Sequence, residues 1–368
     1  LPVFKLKKLF LFLILLIPVN RGFAYEDITD SIYKALLNPK YIIVPAFAYS
    51  SETNFVFGMG LYINPGVSDR KSNYFLFDSV VKYSLKKQFE LHLRPTYRFG
   101  SWQTEIDTKL RKWPDTFYGI GNLTSQDAAE DYTTDKYMLK FNLFRDFSKS
   151  LSVGLSTDWE HYNFSKLEPE GLLHAGNVPG AEASEVAGLG AILRFDNTDA
   201  PYFPYSGFRF QFDVLNFDSV FASDYNFRSY HIDLRSYYST YNKTVIANQF
   251  DMQINQGNVP FYKQAKLGEL LRAYSSGRFI DRNSISFRTE SRFLFPQNTI
   301  LYPFGYVIFA EAGMVAPYVS DFAYDDLKYS VGTGLRYTVI EKNTFNLQCD
   351  IAWGREGYQI TIGGKEEF

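Results

Sequence analysis

From Gln88 to Phe99 the chain alternates residue by residue: Phe89, Leu91, Leu93, Tyr97 and Phe99 fall on one face, and Gln88, Glu90, His92, Arg94, Thr96 and Arg98 on the other. A period of two is that of a β-strand with one face in an apolar and the other in a polar environment. The pattern recurs along the chain between turn signals of Gly, Pro, Asn, Asp and Ser. It predicts strands near 41–50, 54–63, 73–85, 87–99, 101–113, 132–147, 149–165, 185–196, 206–218, 224–240, 243–257, 283–296, 300–315, 326–340, 343–354 and 357–367, about sixteen in all.

Strand length separates two fold classes that share this alternation. Strands of a soluble sandwich average about five or six residues, whereas most of these exceed the roughly 9 to 11 needed to cross lipid at a tilt. Inside a bilayer only a closed sheet leaves no backbone donor or acceptor unpaired. The expected fold is therefore all-β: a single transmembrane antiparallel β-barrel of about sixteen strands, an even count that suits closure. Four long connections are expected, at 114–131, 166–184, 258–282 and 64–72. Three follow odd-numbered strands and so share one side, as long outer loops do.

The residues ahead of the first strand follow another pattern. Lys5, Lys7 and Lys8 precede an apolar run, Leu9 to Val19, and Gly22-Phe23-Ala24 follows as a small-x-small cleavage site. Residues 1–24 thus read as an export signal. Residues 25–40 read as a short periplasmic segment, one amphipathic helix ended by Asn38-Pro39, and 41–368 as the barrel. Beyond the leader, no stretch reaches the roughly 18 apolar residues of a membrane-spanning helix. Export and a barrel together place the protein in the outer membrane of a Gram-negative-type bacterium, among outer-membrane lipids and lipopolysaccharide.

Composition sharpens this picture. Aromatic residues make up 18% of the chain while mean hydropathy is only -0.21, which suits aromatic girdles on an alternating wall. The 38 basic and 40 acidic residues nearly cancel, and no basic stripe suggests nucleic acid. Cys349 is the sole cysteine, so no intrachain disulfide and no thiolate metal cluster can form; its alternation with Leu347 and Ile351 turns it toward lipid. His92, His161, His174 and His231 make no His-x-x-x-His pair, and no Gly-x-Ser-x-Gly is present, so neither an enzyme nor a cofactor is expected.

Function then has to come from loops, lumen and seam. The segment Leu270-Leu271-Arg272-Ala273-Tyr274-Ser275-Ser276-Gly277-Arg278 resembles the sixth extracellular loop of the bacterial surface antigen superfamily of outer-membrane barrels (BamA/TamA-like). The family motif is an apolar residue followed by Arg-Gly-aromatic, matched by Leu271, Arg272 and Tyr274; Ala273 stands where the family has glycine. Glu290, on a face with Arg288 and Arg292, and Glu311, in Phe309-Ala310-Glu311-Ala312-Gly313, are similar to the family's inward acidic residues. Supporting matches are Leu193 to Asp199 followed by Tyr202-Phe203-Pro204-Tyr205-Ser206-Gly207, and Phe117-Tyr118-Gly119-Ile120-Gly121-Asn122. The resemblance implies a lumen-inserted loop anchored by Arg272 on Glu290 and Glu311, a pairing suited to the planar donor fork of arginine. It also implies a short member, since the family's usual POTRA domains find no room in the sequence. The expected activity is insertion or translocation of proteins, or lipid remodelling, with client outer-membrane proteins or a periplasmic partner.

Pro45 falls inside the first strand and cannot donate to a ladder, while Gly354, Gly357 and Gly363 loosen the last hairpin. The resemblance makes this seam a lateral gate, at which a client strand would add to an exposed edge. Alternatively, proline and glycine merely shape closure. A passive channel or porin is the competing function, and an outer-membrane hydrolase a third.

Overall fold

The computed structural model describes residues 41–50, 54–63, 73–200, 203–240, 244–340, 345–364, 366 and 368. The expected export signal and helix, and the 64–72 connection, lie outside them. The alternating segments form one antiparallel sheet of sixteen strands in which each strand bonds the next in sequence. They are β1 Tyr41–Ser50, β2 Asn54–Ile63, β3 Tyr74–Ser84, β4 Phe89–Phe99, β5 Trp102–Phe117, β6 Glu130–Asp146, β7 Leu151–Ser165, β8 Ser184–Asp196, β9 Gly207–Phe217, β10 Phe227–Ser239 and β11 Val245–Gly257. After the long connection come β14 Asn283–Leu294, β15 Phe304–Ala316, β16 Lys328–Ile340, β17 Phe345–Gly354 and β18 Gly357–Gly364. The intervening β12 (Ala265–Lys266) and β13 (Ile280–Asp281) make a separate two-stranded ladder within that connection. The sheet is that of a transmembrane barrel, with β1 and β18 as its two end strands. No ladder joins those two among the described residues.

Burial follows the period of two along β7, β11, β14 and β15. Along β15 the even positions Phe304, Tyr306 and Ile308 are exposed while Val307, Phe309 and Glu311 are buried. Along β7 it is Asp158, Glu160 and Tyr162 that are buried, with Leu155 exposed. The exposed columns are apolar and face lipid; the buried columns are charged or aromatic and face a filled lumen. Cys349 is exposed in its outward column.

One strand outruns its sequence signal. β5 was expected to end at residue 113, yet it continues to Phe117, with Pro114 opposite Thr133 of β6. The β4 ladder stops at Phe89 opposite Lys112, so from there β5 has a neighbour on one side only. An edge position tolerates a proline, because no N–H is needed on the open side.

Candidate functional site

The connection 258–282 enters the lumen because its own sequence is too apolar to lie in water. Phe261 and Tyr262 pack with Phe117, Tyr162, Val186 and Phe217 on the inner wall, and the Tyr262 and Tyr162 rings stack at 3.9 Å. Lys263 adds a charge lock, its Nζ lying 2.9 Å from Asp158 and 3.0 Å from Glu160 on β7. Burial raises the Tyr262 phenol above its ordinary pKa, so its hydroxyl, 2.8 Å from that of Ser184, stays protonated across the physiological range. Burying the apolar residues here and in the next cluster contributes on the order of 1.5–3 kcal/mol each.

Farther along, Leu267, Leu271, Ala273, Tyr274 and Phe279 pack on Val307, Phe309, Val315 and Ala352. This second contact places Arg272 among carboxylates of three strands. Its Nη2 lies 2.6 Å from Glu290 on β14, its Nε 2.8 Å from Glu311 on β15, and its Nη1 2.7 Å from Asp350 on β17. The Arg272 main-chain N–H donates to the other Glu311 oxygen at 2.7 Å, and the guanidinium stacks 3.8 Å above the Phe309 ring. Each nitrogen of the guanidinium thus has a carboxylate partner in a buried site, where ionised hydrogen bonds are strong and an unmatched charge is costly.

Two further arginines share these carboxylates. Arg292 donates through Nε to Glu290 at 2.6 Å, and Arg336 binds both Asp350 and Glu366. Asp350 fits because residue 334 is glycine: a Cβ there would stand 1.8 Å from Asp350 Oδ1. Gly332 likewise leaves room for Phe309, whose ring would be 2.3 Å from an added Cβ. We expect Gly332→Val to push that ring out from under Arg272 and to crowd Ile351 O of β17, which an added Cβ would also meet at 2.3 Å. The heat-modifiability midpoint on gels should fall by several degrees; an unchanged midpoint would show the ring to be dispensable.

The same loop grips the hairpin that borders the seam. Arg278 binds the Glu356 carboxylate through Nε at 2.8 Å and Nη2 at 2.5 Å. The Tyr274 hydroxyl donates to Tyr329 O at 3.1 Å and accepts from Arg355 N at 3.4 Å. With its amide turned to match its neighbours, Gln359 of β18 accepts from Ser275 N at 2.9 Å and donates to Tyr274 O at 3.2 Å.

Ala273 occupies a buried position, and the residues with positive φ do not include it; Phe279, at φ 56°, is the non-glycine residue of this loop that does enter the left-handed region. The Ala273 methyl instead meets Gly354, where an added Cβ would be 3.0 Å from it and from the Tyr274 ring. Gly357 has φ 125° at the turn between β17 and β18, and Gly363 pairs with Gln348. Pro45 sits within β1 opposite Met59. Thus Leu271, Arg272, Ala273 and Tyr274 come together with Glu290, Glu311 and Gly354, whereas Pro45, Gly357 and Gly363 belong to the two strands at the seam. Sequence reasoning passed over Asp350, Arg336, Arg278, Glu356 and Lys263. The first was within reach, because the alternation that turns Cys349 outward turns Asp350 inward.

A sixteen-stranded transmembrane barrel with a lumen loop held by one arginine on acidic wall residues is a defined class of membrane protein. The Omp85 superfamily domain model matches residues 55–363, and the chain belongs to that superfamily. Its fold is similar to that of BamA from Haemophilus ducreyi lacking POTRA domains 1-3, with TM-score 0.57, 14% identity, and coverage of 89% of this chain and 70% of that one. It is also similar to CdiB from Escherichia coli, with TM-score 0.58, 10% identity, and coverage of 88% and 61%. CdiB from Acinetobacter baumannii gives TM-score 0.55, 10% identity, and coverage of 88% and 59%. The chain therefore spans about three fifths of the CdiB chains. No curated protein matches.

Proposed function

We propose that this protein is an outer-membrane barrel that inserts or translocates proteins through the seam between β1 and β18, without chemical catalysis. Its partners would be client outer-membrane proteins and the surrounding lipid and lipopolysaccharide. Membership of the Omp85 superfamily supports the reading, as does the fold shared with BamA and CdiB. The observation that carries it is the double attachment of one loop. Arg272 fixes that loop to β14, β15 and β17, while Tyr274, Ser275 and Arg278 hold the β17–β18 hairpin at the seam. In this reading Arg272 is the anchor, Glu290 and Glu311 are its partners, and Pro45 with Gly354, Gly357 and Gly363 gives the seam its weak pairing. An exposed strand edge would then take a client strand by main-chain hydrogen bonding.

The test uses proteoliposomes and a urea-unfolded eight-stranded barrel as client, with folding followed by heat-modifiability. The protein should accelerate insertion over empty liposomes. Disulfides between cysteines placed on β1 and β18 should abolish the acceleration, and reductant should restore it. Insertion unaffected by a complete crosslink would rule out lateral opening. A large, steady conductance without any acceleration would favour a passive channel instead.

A further inference from the structure

We propose that the segment from Phe117 to Thr124 is a latch: with Arg278 it ties the early strands of the sheet to the β17–β18 turn and so holds the outer end of the seam shut. The inference rests on the seam reading above and names the contact that has to break before β18 can part from β1. Its starting point is the Phe117-Tyr118-Gly119-Ile120-Gly121-Asn122 motif that leaves β5. Phe117 is the root, buried with Phe261 and Phe217. Gly119 and Gly121 then take φ of 90° and 117°, a region that residues with a Cβ rarely enter, and the chain turns there toward the lumen loop.

Beyond that turn the segment bonds to elements far along the chain. The Gly121 N–H donates to Ile280 O at 2.8 Å. Asn122 is buried; its Nδ2 donates to Asp326 O at 2.5 Å and its Oδ1 accepts from Val315 N at 3.4 Å, which fixes it to β15 and to the β15–β16 loop. Thr124 receives Arg278, whose Nη1 donates to the Thr124 Oγ1 and whose Nη2 donates to the Thr124 main-chain oxygen, both at 2.6 Å. The same guanidinium holds the Glu356 carboxylate through Nε and Nη2. One arginine thus bridges the loop that follows β5 and the turn that precedes β18. These lie toward opposite ends of the sheet, whose end strands share no ladder among the described residues.

The bridge parts more easily on one side than on the other. Arg278 is 2% exposed, and its guanidinium lies 3.8 Å from the Phe279 ring centroid and 5.1 Å from that of Tyr118. The Glu356 side chain is 22% exposed. When the turn swings out, Glu356 passes into water and needs no new partner. Arg278 keeps Thr124 and two aromatic rings, against which a guanidinium is stabilised, while Gly121 and Asn122 keep the segment docked. Parting at Glu356 therefore costs less than breaking an ion pair whose charges both stay buried, and the turn can close again on the same arginine.

The test is a distance measurement by electron paramagnetic resonance on the full chain in lipid nanodiscs, with spin labels at Leu123→Cys and Tyr358→Cys in a Cys349→Ser background. Both sites are exposed. The unaltered latch should give one narrow distribution. Glu356→Gln, which keeps the side-chain size and removes the charge, should add a longer distance with severalfold the population seen without it. Glu356→Asp, which keeps the charge on a shorter stem, should fall between. A second pair, Leu123→Cys with Tyr318→Cys, should stay narrow throughout, because Asn122 still holds the segment to β15. An unchanged first pair in Glu356→Gln would overturn the proposal, and so would widening of both pairs, since the loop would then be fraying as a whole. Client insertion, followed as above, separates the latch from the seam reading. A longer first distance with no insertion by either protein would uphold the latch and refute insertion through the seam, whereas an unchanged distance with normal insertion would refute the latch alone.

Discussion

Arg272→Ala is expected to turn a barrel of small, erratic conductance into one that conducts several-fold more in planar bilayers. Breaking a buried ion pair by removing one partner costs about 3–5 kcal/mol, but here the loss is unevenly shared. Glu290 keeps Arg292, and Asp350 keeps Arg336. Glu311 loses the charged Arg272 Nε and keeps only neutral donors such as the main-chain N–H of residue 272, so it bears most of the cost. The base of the loop stays attached through Lys263 and through Phe261 and Tyr262, so the tip swings while the loop as a whole remains inside. A cysteine introduced as Ser275→Cys, in a Cys349→Ser background, should then react faster with a water-soluble maleimide. Arg272→Lys should fall between, since an ammonium is a point charge and cannot serve three carboxylates in the plane of a fork. A large, steady conductance already present in the unaltered protein, rising only modestly on Arg272→Ala, would mean that the loop gates nothing.

How much of this was legible in the sequence follows from which interactions are periodic. Alternation is a local signal, so all sixteen barrel strands, and the inward directions of Glu290 and Glu311, could be read from their neighbours. Contacts across the lumen carry no such signal. Arg194 on β8 reaches Glu105 on β5 at 2.6 Å, and Arg278 in the loop reaches Glu356 in a turn, pairs fixed by barrel closure and not by spacing. Pro114 misled for a related reason: whether a proline ends a strand depends on whether the neighbouring strand extends that far. The glycines of the last hairpin were legible as loosening elements, but their local roles were not. Gly354 makes room for Ala273 and Tyr274, and Gly357 supplies a positive φ. Placing residues 357–367 in a strand also concealed the contacts of Glu366 with Arg336 and of Phe368 with Phe203 and Tyr237.

Glu290→Ala should be the most destabilising single change in the barrel, exceeding Arg272→Ala. Glu290 is 1% exposed and lies between two guanidiniums, those of Arg272 and Arg292. Arg272 retains Glu311 and Asp350 when it is lost. Arg292, by contrast, has no other side-chain carboxylate within ion-pair distance among the described residues and keeps only the Phe368 main-chain oxygen as an acceptor, and it is fully buried. An arginine cannot shed its proton to escape such a site, so the full cost of an unmatched buried charge applies, about 3–5 kcal/mol. The heat-modifiability midpoint should drop more than in any other variant proposed above. Glu290→Gln should lose less, because the amide oxygen still accepts one hydrogen bond. The decisive comparison is Arg292→Met in the Glu290→Ala background: removing the stranded cation should recover much of the lost stability, since an apolar pair of similar volume often replaces a buried ion pair at little cost. If the double variant were as unstable as Glu290→Ala alone, shape and not charge would be what Glu290 supplies.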